Sequence, residues 1–588
     1  MVPLLLGAAL LVQSPQTAGP RLRYLATVRQ YGPVGYRDPL GVISPNGAWL
    51  ATASETRVQV QRTVGGPIAD LGQSDEQITD LAWLPDSRRL AVRARTFERR
   101  TTRWVVYDVV SRRHALLWPE RHRIRGRREG DTTTIEIDPG DLVQLVWSPG
   151  GDSVAGVVRH PGGSALWVVR ADGEGARVRD RSWRLSFPAW RPGGPIACLS
   201  LQGQRQRLDI DCGTESRESV EAYGPIAFAP DGRSVYYAAP NERGTLDLRR
   251  RVLGAGPDEP LTAFARDAYA PSITRDGRVL FKTQDYRVFV ADAPAEGGAS
   301  RPLTTFQSET PAWSPDGQSI GVTFGSWRRV IDDFHYPDIA QDLGIIDVRD
   351  TPADTPTTVF RASPSEDQGM AWSPDGRWIA FHSHADATDD VYLQAADRSG
   401  PAWKASERLY ETGWPRWSPD GRWIVFPSEE PASRSSQGFL SVLGVDPATG
   451  QVTRPAQRLW LKDFRGGALH AEWSRDGRQI VFDGISALGH KGLYVVPRTG
   501  GRPRLIHAYE SDQVYSGISV SPDSRWVAFV APTPGGHFQV FRVPVGVGAP
   551  QQLTFDPTDK TQPAYAPHGD RIAFTVFRYE VQFWLLEP

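Results

Sequence analysis

A short segment that recurs twelve times constrains the fold of this chain more than any other feature. The copy that starts at Met370 reads MAWSPDGRWIA, with a turn sequence between two short apolar runs. In a type I turn, proline presets φ at the second position, and the glycine accepts the left-handed φ that follows. The copies lie about 40 to 60 residues apart and begin at Gly41, Leu81, Leu145, Pro188, Ile226, Pro271, Pro311, Met370, Pro415, Ala471, Ile518 and Pro563. Each copy therefore predicts one supersecondary unit.

Two further apolar segments follow each copy and complete the predicted unit. The third strand reads DVYLQ, GLYVV or FQVFRV, and a fourth often ends in Leu-Thr, as in EPLTAF, RPLTTF and QQLTF. Four antiparallel strands in this length form one propeller blade. We therefore predict an all-β chain of twelve four-stranded blades. Natural propellers mostly have four to eight blades, which favours two six-bladed propellers, with a division into seven and five blades or another split as the alternative.

The predicted boundary between the propellers lies near Phe306, where the sixth fourth strand ends. This assigns residues 19–306 to the first propeller and residues 307–588 to the second. The last blade has only three strands in the sequence that follows its repeat. The segment Leu22–Gln30 is expected to supply the missing outer strand and to join the two ends of the chain.

The segment WSPDGRWIAF, at Trp372–Phe381, resembles the TolB-like, or PD40 (WD40-like), β-propeller repeat. The resemblance extends over nearly all of the chain after residue 40. It implies the propeller fold strongly and the function weakly, because propellers carry many functions.

Composition and the first residues indicate where the protein acts. Lys and Arg number 67 against 68 Asp and Glu, so no overall field favours nucleic acid. The apolar run Val2–Val12 is too short to span a bilayer and is typical of a secretory signal. We expect residues 1–18 to be a signal peptide and the protein to be periplasmic or secreted, with no membrane span.

The two cysteines, Cys198 and Cys212, flank a predicted hairpin. On neighbouring strands of an exported protein they could form a disulfide, with two free thiols as the alternative.

Two other motifs have simple structural interpretations. The segment GQSIG, Gly317–Gly321, matches a nucleophile elbow, but Gly317 is the turn glycine of a repeat and no strand–turn–helix surrounds it. The basic segment RHRIRGRREG, Arg121–Gly130, lies in an insertion between the second and third copies. It is either a docking loop for an anionic partner or a solvated surface loop.

One loop face of the second propeller carries the candidate site. The loop between the second and third strands reads HSHADATDD in the eighth blade and is lengthened to Gly325–Asp342 in the seventh. Such long insertions are usually functional. The candidate residues on this face are Asp332, Asp333, His335, Asp338, His382, His384, Asp386, His470 and His490.

Imidazole and carboxylate groups together suit zinc or manganese, and the candidate metal ligands are His335, His382 and His384. The alternative is that these loop tips are polar because water surrounds them. The sequence requires no cofactor, although a divalent metal is compatible with it.

The leading functional hypothesis is a non-enzymatic exported scaffold that binds a protein or glycan partner in the cell envelope. The alternative is a metal-dependent polysaccharide lyase-like propeller or a propeller that acts with a separately encoded hydrolase. The lyase alternative rests on the resemblance, because PD40-type propellers are similar to those of oligogalacturonate lyases, which hold a metal through histidines. No ligand residue is assigned from that similarity.

Overall fold

The computed structural model describes most of the chain after residue 20. The described residues are 21–29, 40–54, 57–73, 77–95, 102–119, 122–130, 133–160, 163–181, 184–202, 205–212, 220–242, 245–254, 257–264, 266–325, 341–349, 351–363, 365–385, 389–406, 414–428, 439–466, 468–509, 517–534, 537–546 and 548–587. Their contacts divide them into two units. Unit 1 contains residues 21–28, 40–284 and 581–587, and unit 2 contains residue 29 and residues 285–580.

The predicted all-β class is confirmed, and most sheets have four antiparallel strands. The first half of the chain forms β1 Arg21–Arg29; β2 Leu40–Ile43, β3 Trp49–Ser54, β4 Arg57–Arg62 and β5 Ala69–Gln73; β6 Gln77–Trp83, β7 Arg89–Arg95, β8 Thr102–Asp108 and β9 His114–Leu116; β10 Ile124–Arg128, β11 Thr134–Ile137, β12 Val143–Trp147, β13 Ser153–His160, β14 Gly163–Arg170 and β15 Ala176–Arg181; β16 Arg184–Trp190, β17 Ile196–Gln202, β18 Arg205–Asp209 and β19 Val220–Glu221; and β20 Tyr223–Phe228, β21 Ser234–Pro240, β22 Leu246–Val252 and β23 Glu259–Pro260. Strands β2–β5, β6–β9, β10–β15, β16–β19 and β20–β23 form one sheet each.

The second half repeats this pattern. It forms β24 Ala268–Ile273, β25 Val279–Pro294 and β26 Arg301–Pro302; β27 Ser308–Trp313, β28 Ser319–Gly325, β29 Gln341–Asp347 and β30 Thr358–Arg361; β31 Asp367–Trp372, β32 Trp378–Ser383, β33 Asp390–Ala395 and β34 Trp403–Lys404; β35 Arg416–Trp417, β36 Trp423–Ser428, β37 Phe439–Val445 and β38 Val452–Arg458; β39 Phe464–Gly466, β40 Ala471–Trp473, β41 Gln479–Ser486, β42 Lys491–Pro497 and β43 Arg504–Ala508; β44 Ile518–Val520, β45 Trp526–Pro532, β46 Phe538–Pro544 and β47 Gln551–Gln552; and β48 Asp559–Tyr565 and β49 Arg571–Glu587. Among the described residues the one helix is the 3-10 turn Pro139–Asp141. No helix among the described residues is long and apolar enough to cross a membrane.

The repeated turn forms as its sequence predicts. In the eighth copy, the Ser373 hydroxyl donates to the Asp375 carboxylate at 2.7 Å and accepts the Trp378 amide at 2.9 Å. Gly376 has a φ of +73°, which explains why glycine ends the turn. The same serine-to-aspartate hydrogen bond recurs at Ser314, Ser418, Ser474 and Ser521.

The tryptophan before the turn joins neighbouring sheets within a unit. In unit 2, the indole N–H of Trp417 donates to the Ala371 carbonyl, and that of Trp473 donates to the Arg416 carbonyl, each at 3.1 Å. Trp313 donates to Ala564 in the same way and so links the first sheet of unit 2 to the last. Buried apolar side chains from adjacent sheets pack around these links, for example Leu393 with Ile424.

The first strands of successive sheets contact one another in sequence order within each unit. In unit 1 the order is β2, β6, β12, β16, β20 and β24, and β24 also contacts β2. In unit 2 it is β27, β31, β35, β40, β44 and β48, and β48 also contacts β27.

The two ends of the chain pair, as predicted for Leu22–Gln30, in a sheet of six strands that contains β1, β24, β25, β26, β48 and β49. β1 pairs with β49, with the Arg23 guanidinium 3.0 Å from the Glu587 carboxylate and Tyr24 against Trp584. β1 and the end of β49 belong to unit 1 together with β24, so β1 is not the outer strand of the last predicted blade. In unit 2, β48 pairs with the first half of β49, and β26 pairs with the end of β25.

Of the two alternatives for the cysteines, the structure has the disulfide. Cys198 and Cys212 are joined, with their Cα atoms 5.0 Å apart, and both are fully buried.

Candidate functional site

The candidate site lies where β32 of unit 2 ends. His382 is in β32 opposite Val391 of β33, and His384 follows the strand directly. Because side chains in a strand alternate between faces, residues two apart share a side. The two imidazole rings accordingly face the same region, with ring centroids 6.0 Å apart.

Asp389, just before β33, completes a three-residue cluster. One ligand atom from each of His382, His384 and Asp389 lies within 4.8 Å of the other two. The Nε2 atom of His382 is 3.0 Å from Asp389 Oδ1, and His384 Nδ1 also contacts Asp389 Oδ1. Among the described residues this is the one group of three or more such side chains close enough to share a metal ion.

Two of the three side chains in this cluster are largely shielded from solvent. The side chains of His382 and Asp389 are 12% and 10% exposed. Both imidazoles approach the same oxygen, Asp389 Oδ1, so charge-assisted contacts hold the three side chains together. A divalent metal bound here would replace the shared protons, because imidazole nitrogens and carboxylate oxygens are ligands of such ions.

The charge state of Asp389 also suits a ligand. Burial of the carboxyl would raise its pKa, but hydrogen bonds from the imidazoles of His382 and His384 outweigh burial and lower the pKa to about 2. Asp389 is therefore a carboxylate at neutral pH. Two imidazoles and one carboxylate match the donor set of zinc and related divalent metals.

A second carboxylate, that of Glu366, lies near His384, the exposed member of the cluster. Glu366 Oε2 is 3.9 Å from His384 Nδ1, and the Gln368 amide donates to the other oxygen of Glu366. Gln368 also donates to Gln341, whose own amide donates to the buried Glu309 at 3.1 Å. This chain of amides runs from the sheet of β27 to the sheet of β31 and fixes the orientation of Glu366.

The other predicted site residues have separate surroundings. His470 Nδ1 is 2.7 Å from a buried carboxylate, Asp483, and its ring packs against Trp414. His490 is exposed in the hairpin between β41 and β42, where its amide donates to Ser486. Neither belongs to the cluster of His382. The predicted residues Asp332, Asp333, His335, Asp338 and Asp386 lie outside the described residues.

Asp389 and Glu366 were missing from the predicted set. Asp389 is the first of the two aspartates that end HSHADATDD, so a signal for it was present in the sequence. Glu366 precedes β31 and reaches the cluster through pairing of β31 with β32, where Gln368 lies opposite His382. That register is not readable from residue spacing alone.

Comparison with known proteins finds similar solved structures. No protein-family model matches the sequence, and no curated protein matches it. A protein assigned as a TolB of Agrobacterium tumefaciens is 20% identical, with a TM-score of 0.38, over 50% of this chain and 99% of its own. TolB from Acinetobacter baumannii is 13% identical, with a TM-score of 0.31, over 68% of this chain and 79% of its own.

The tricorn protease is a third similar structure. It is 10% identical, with a TM-score of 0.28, over 90% of this chain and 59% of its own.

Proposed function

We propose that the chain is an exported scaffold of two six-bladed propellers that binds a protein or glycan partner in the cell envelope. In each unit, six first strands contact one another in sequence order, and the sixth also contacts the first. This supports six blades per propeller. The boundary near Phe306 stays a prediction, with six first strands before it and six after it. The periplasmic or secreted location rests on residues 1–18, and the buried disulfide is compatible with it.

The binding site in this proposal is the face of unit 2 that carries His382, His384 and Asp389, organised by a divalent metal. One observation carries the proposal: three ligand atoms, from the half-buried His382, the exposed His384 and the buried Asp389, converge within 4.8 Å. Zinc is the best fit because its protein sites combine histidine nitrogens with carboxylate oxygens. A metal with an exposed coordination position can also bind a carboxylate or hydroxyl of a partner.

Elemental analysis tests the metal after purification without a metal-affinity step. We expect about one transition-metal ion per chain in the native protein, and its loss in the double variant His382→Ala/His384→Ala. Titration with ZnCl₂ after chelation should reproduce the difference. His490→Ala is the matched control, because His490 is an exposed histidine outside the cluster. Equal zinc binding by the double variant and the control would contradict the site.

A second candidate function is a metal-dependent enzyme of the lyase or hydrolase type. It is favoured by the exposure of His384, whose side chain is 43% exposed and leaves one side of the cluster open to solvent. Catalytic zinc sites keep such an open position for water or substrate. The zinc-loaded protein would be assayed on acidic and neutral polysaccharides, and product formation that the double variant lacks would favour catalysis over binding alone.

A further inference from the structure

The third sheet of unit 1 carries two strands that the repeat does not require. β10 pairs with β15 in parallel, and β11 pairs with β10, so the sheet has six strands in the order β11, β10, β15, β14, β13, β12. The predicted basic loop Arg121–Gly130 is thus a strand over Ile124–Arg128. The insertion extends the outer edge of the sheet with a strand that carries Arg125, Arg127 and Arg128.

Packing on one face of β10 fixes which side chains point outwards. Ile124 is fully buried in the apolar cluster of Trp104 and Trp167. A Cβ atom at Gly126 would lie only 2.5 Å from Trp167 and from Val178, so this side of the strand is in close contact with the sheet. Because side chains alternate, Arg125 and Arg127 project from the opposite face, where both are exposed.

Most charges on this outer face are paired. Arg125 contacts the Glu136 carboxylate at 2.6 Å. Arg179 contacts Glu129 at 2.9 Å and Asp211 at 2.7 Å, and it donates to the carbonyl of the disulfide-bonded Cys212. These pairs fix the edge of the sheet and leave its acidic groups neutralised.

Arg127 and Arg177 differ from their neighbours. They lie opposite each other on adjacent strands, and both are exposed. The next positions in the same row are Thr134 on β11 and Val168 on β14, which carry no charge. Within the part of the chain that the structure describes, neither arginine has an ion pair. Like charges on paired strands repel each other, so a dianion bound between the two guanidinium groups would be stabilised.

We infer that Arg127 and Arg177 form a binding site for the phosphate group of a soluble phosphorylated saccharide. Guanidinium groups bind phosphate oxygens in a bidentate manner, and two of them match the charge of a phosphate monoester. Thr134, opposite Arg127, supplies a hydroxyl for a hydrogen bond to the sugar.

Two other phosphate sources fit this surface less well. β10, β11 and β15 contain no aromatic residue on which a nucleic-acid base could stack. They also present no exposed large apolar side chain that could enter a bilayer. The inference is independent of the metal site in unit 2.

The test uses the full chain and a phosphomannan, with the same mannan after phosphatase treatment as the neutral probe. We expect the native protein to bind phosphomannan at low salt and to lose most of that affinity at high salt. The double variant Arg127→Ser/Arg177→Ser should bind at least about tenfold more weakly. Both side chains are exposed, so the variant is expected to fold. Arg349→Ser removes an exposed arginine that is paired with Asp347 and serves as the control.

Three results would overturn the inference. The first is no binding of phosphomannan by the native protein. The second is equal affinity for the native protein and the double variant. The third is tighter binding to vesicles containing phosphatidylglycerol, or to duplex DNA, than to phosphomannan, because the phosphate source would then be a lipid or a nucleic acid.

Discussion

The carboxylate of Asp292, in unit 2, shows how a single ion can be held in a β-sheet interior. Its side chain is fully buried, and Arg571 donates to it through two nitrogens at 2.5 and 2.6 Å. Arg301 donates two further hydrogen bonds at 2.8 and 3.1 Å. Burial would raise the pKa of Asp292, but the hydrogen bonds from Arg571 and Arg301 outweigh it and lower the pKa below its ordinary value of 3.8.

Asp292→Asn is expected to destabilise unit 2 by about 3 kcal/mol at pH 7, because two guanidinium groups lose their anion. The lowered pKa sets the sign of the pH dependence. The ionised carboxylate stabilises the fold above about pH 4, and this contribution is lost as the pH falls through the folded-state pKa. Calorimetry should therefore show a difference between native and variant protein that shrinks below pH 4.

The control for this prediction is Asp347→Asn, which removes the carboxylate of an exposed pair with Arg349. Exposed pairs contribute less than about 1 kcal/mol. If Asp292→Asn lowers the free energy of unfolding no more than Asp347→Asn does, burial of the ion pair adds nothing to stability.

Residues of the candidate site were predictable only where one strand carries them. His382 and His384 share a strand end, so alternation alone places both imidazoles on one side. Asp389 and Glu366 join them through the register of β33 and β31 against β32, which depends on hairpin length and a bulge between Gln368 and Ala371. Residue types therefore identified the ligand chemistry, and strand register decided which carboxylates belong to it.

At the scale of the element, the Leu-Thr sequence has a structural role beyond marking the fourth strand. The Thr304 hydroxyl accepts the amide of Val290 at 2.9 Å and shares a hydrogen bond with the Ser308 hydroxyl at 2.6 Å. Thr262 and Thr554 accept the amides of Leu248 and Val540 in the same way. The buried threonine hydroxyl thus supplies a hydrogen-bond acceptor that the backbone of the short outer strand does not provide.

Thr304→Val should destabilise unit 2 by about 1 to 3 kcal/mol, because the shape is kept while the buried Val290 amide loses its acceptor. Thr305→Val is the matched control, since the Thr305 side chain is exposed and its hydrogen bond to Ala353 is 3.3 Å long. We expect the control to change stability by less than about 0.5 kcal/mol. Thermal unfolding of both variants measures the difference, and equal shifts would mean that the threonine hydroxyl is not the stabilising group.

The turn-centred repeat predicted element types well, and the insertion was the exception. Turns and their flanking strands follow from local chemistry, as at Ser373 and Gly376. β10 instead depends on a parallel neighbour, β15, that lies about 50 residues further along the chain. In β10, Ile124 and Gly126 alternate with exposed arginines, which is the pattern of a strand. The run of charged residues hid this pattern in the sequence.

At the scale of the whole molecule, the repeat count anticipated the twelve first strands, but not how the sheets at the chain ends are completed. β25 and β49 are 16 and 17 residues long, whereas one blade strand needs about half that length. Each contributes to both units, so the last described strand and the first meet in unit 1. Such pairings join residues that are hundreds of positions apart, and no local pattern encodes them.

Deletion of residues 1–29 is expected to weaken unit 1 while unit 2 keeps its stability. The deletion removes β1, the ion pair of Arg23 with Glu587 and the contact of Tyr24 with Trp584, and it exposes the edge of β49. Hydrogen exchange should then rise at Val581–Leu586, whose backbone loses a strand partner, and stay unchanged at Trp378–Ser383 in unit 2. A chain that lacks only residues 1–20 is the control, because it keeps β1 whole. Unchanged exchange at Val581–Leu586 in the longer deletion would mean that β49 is held by its pairing with β25 alone, and that joining the chain ends adds nothing to unit 1.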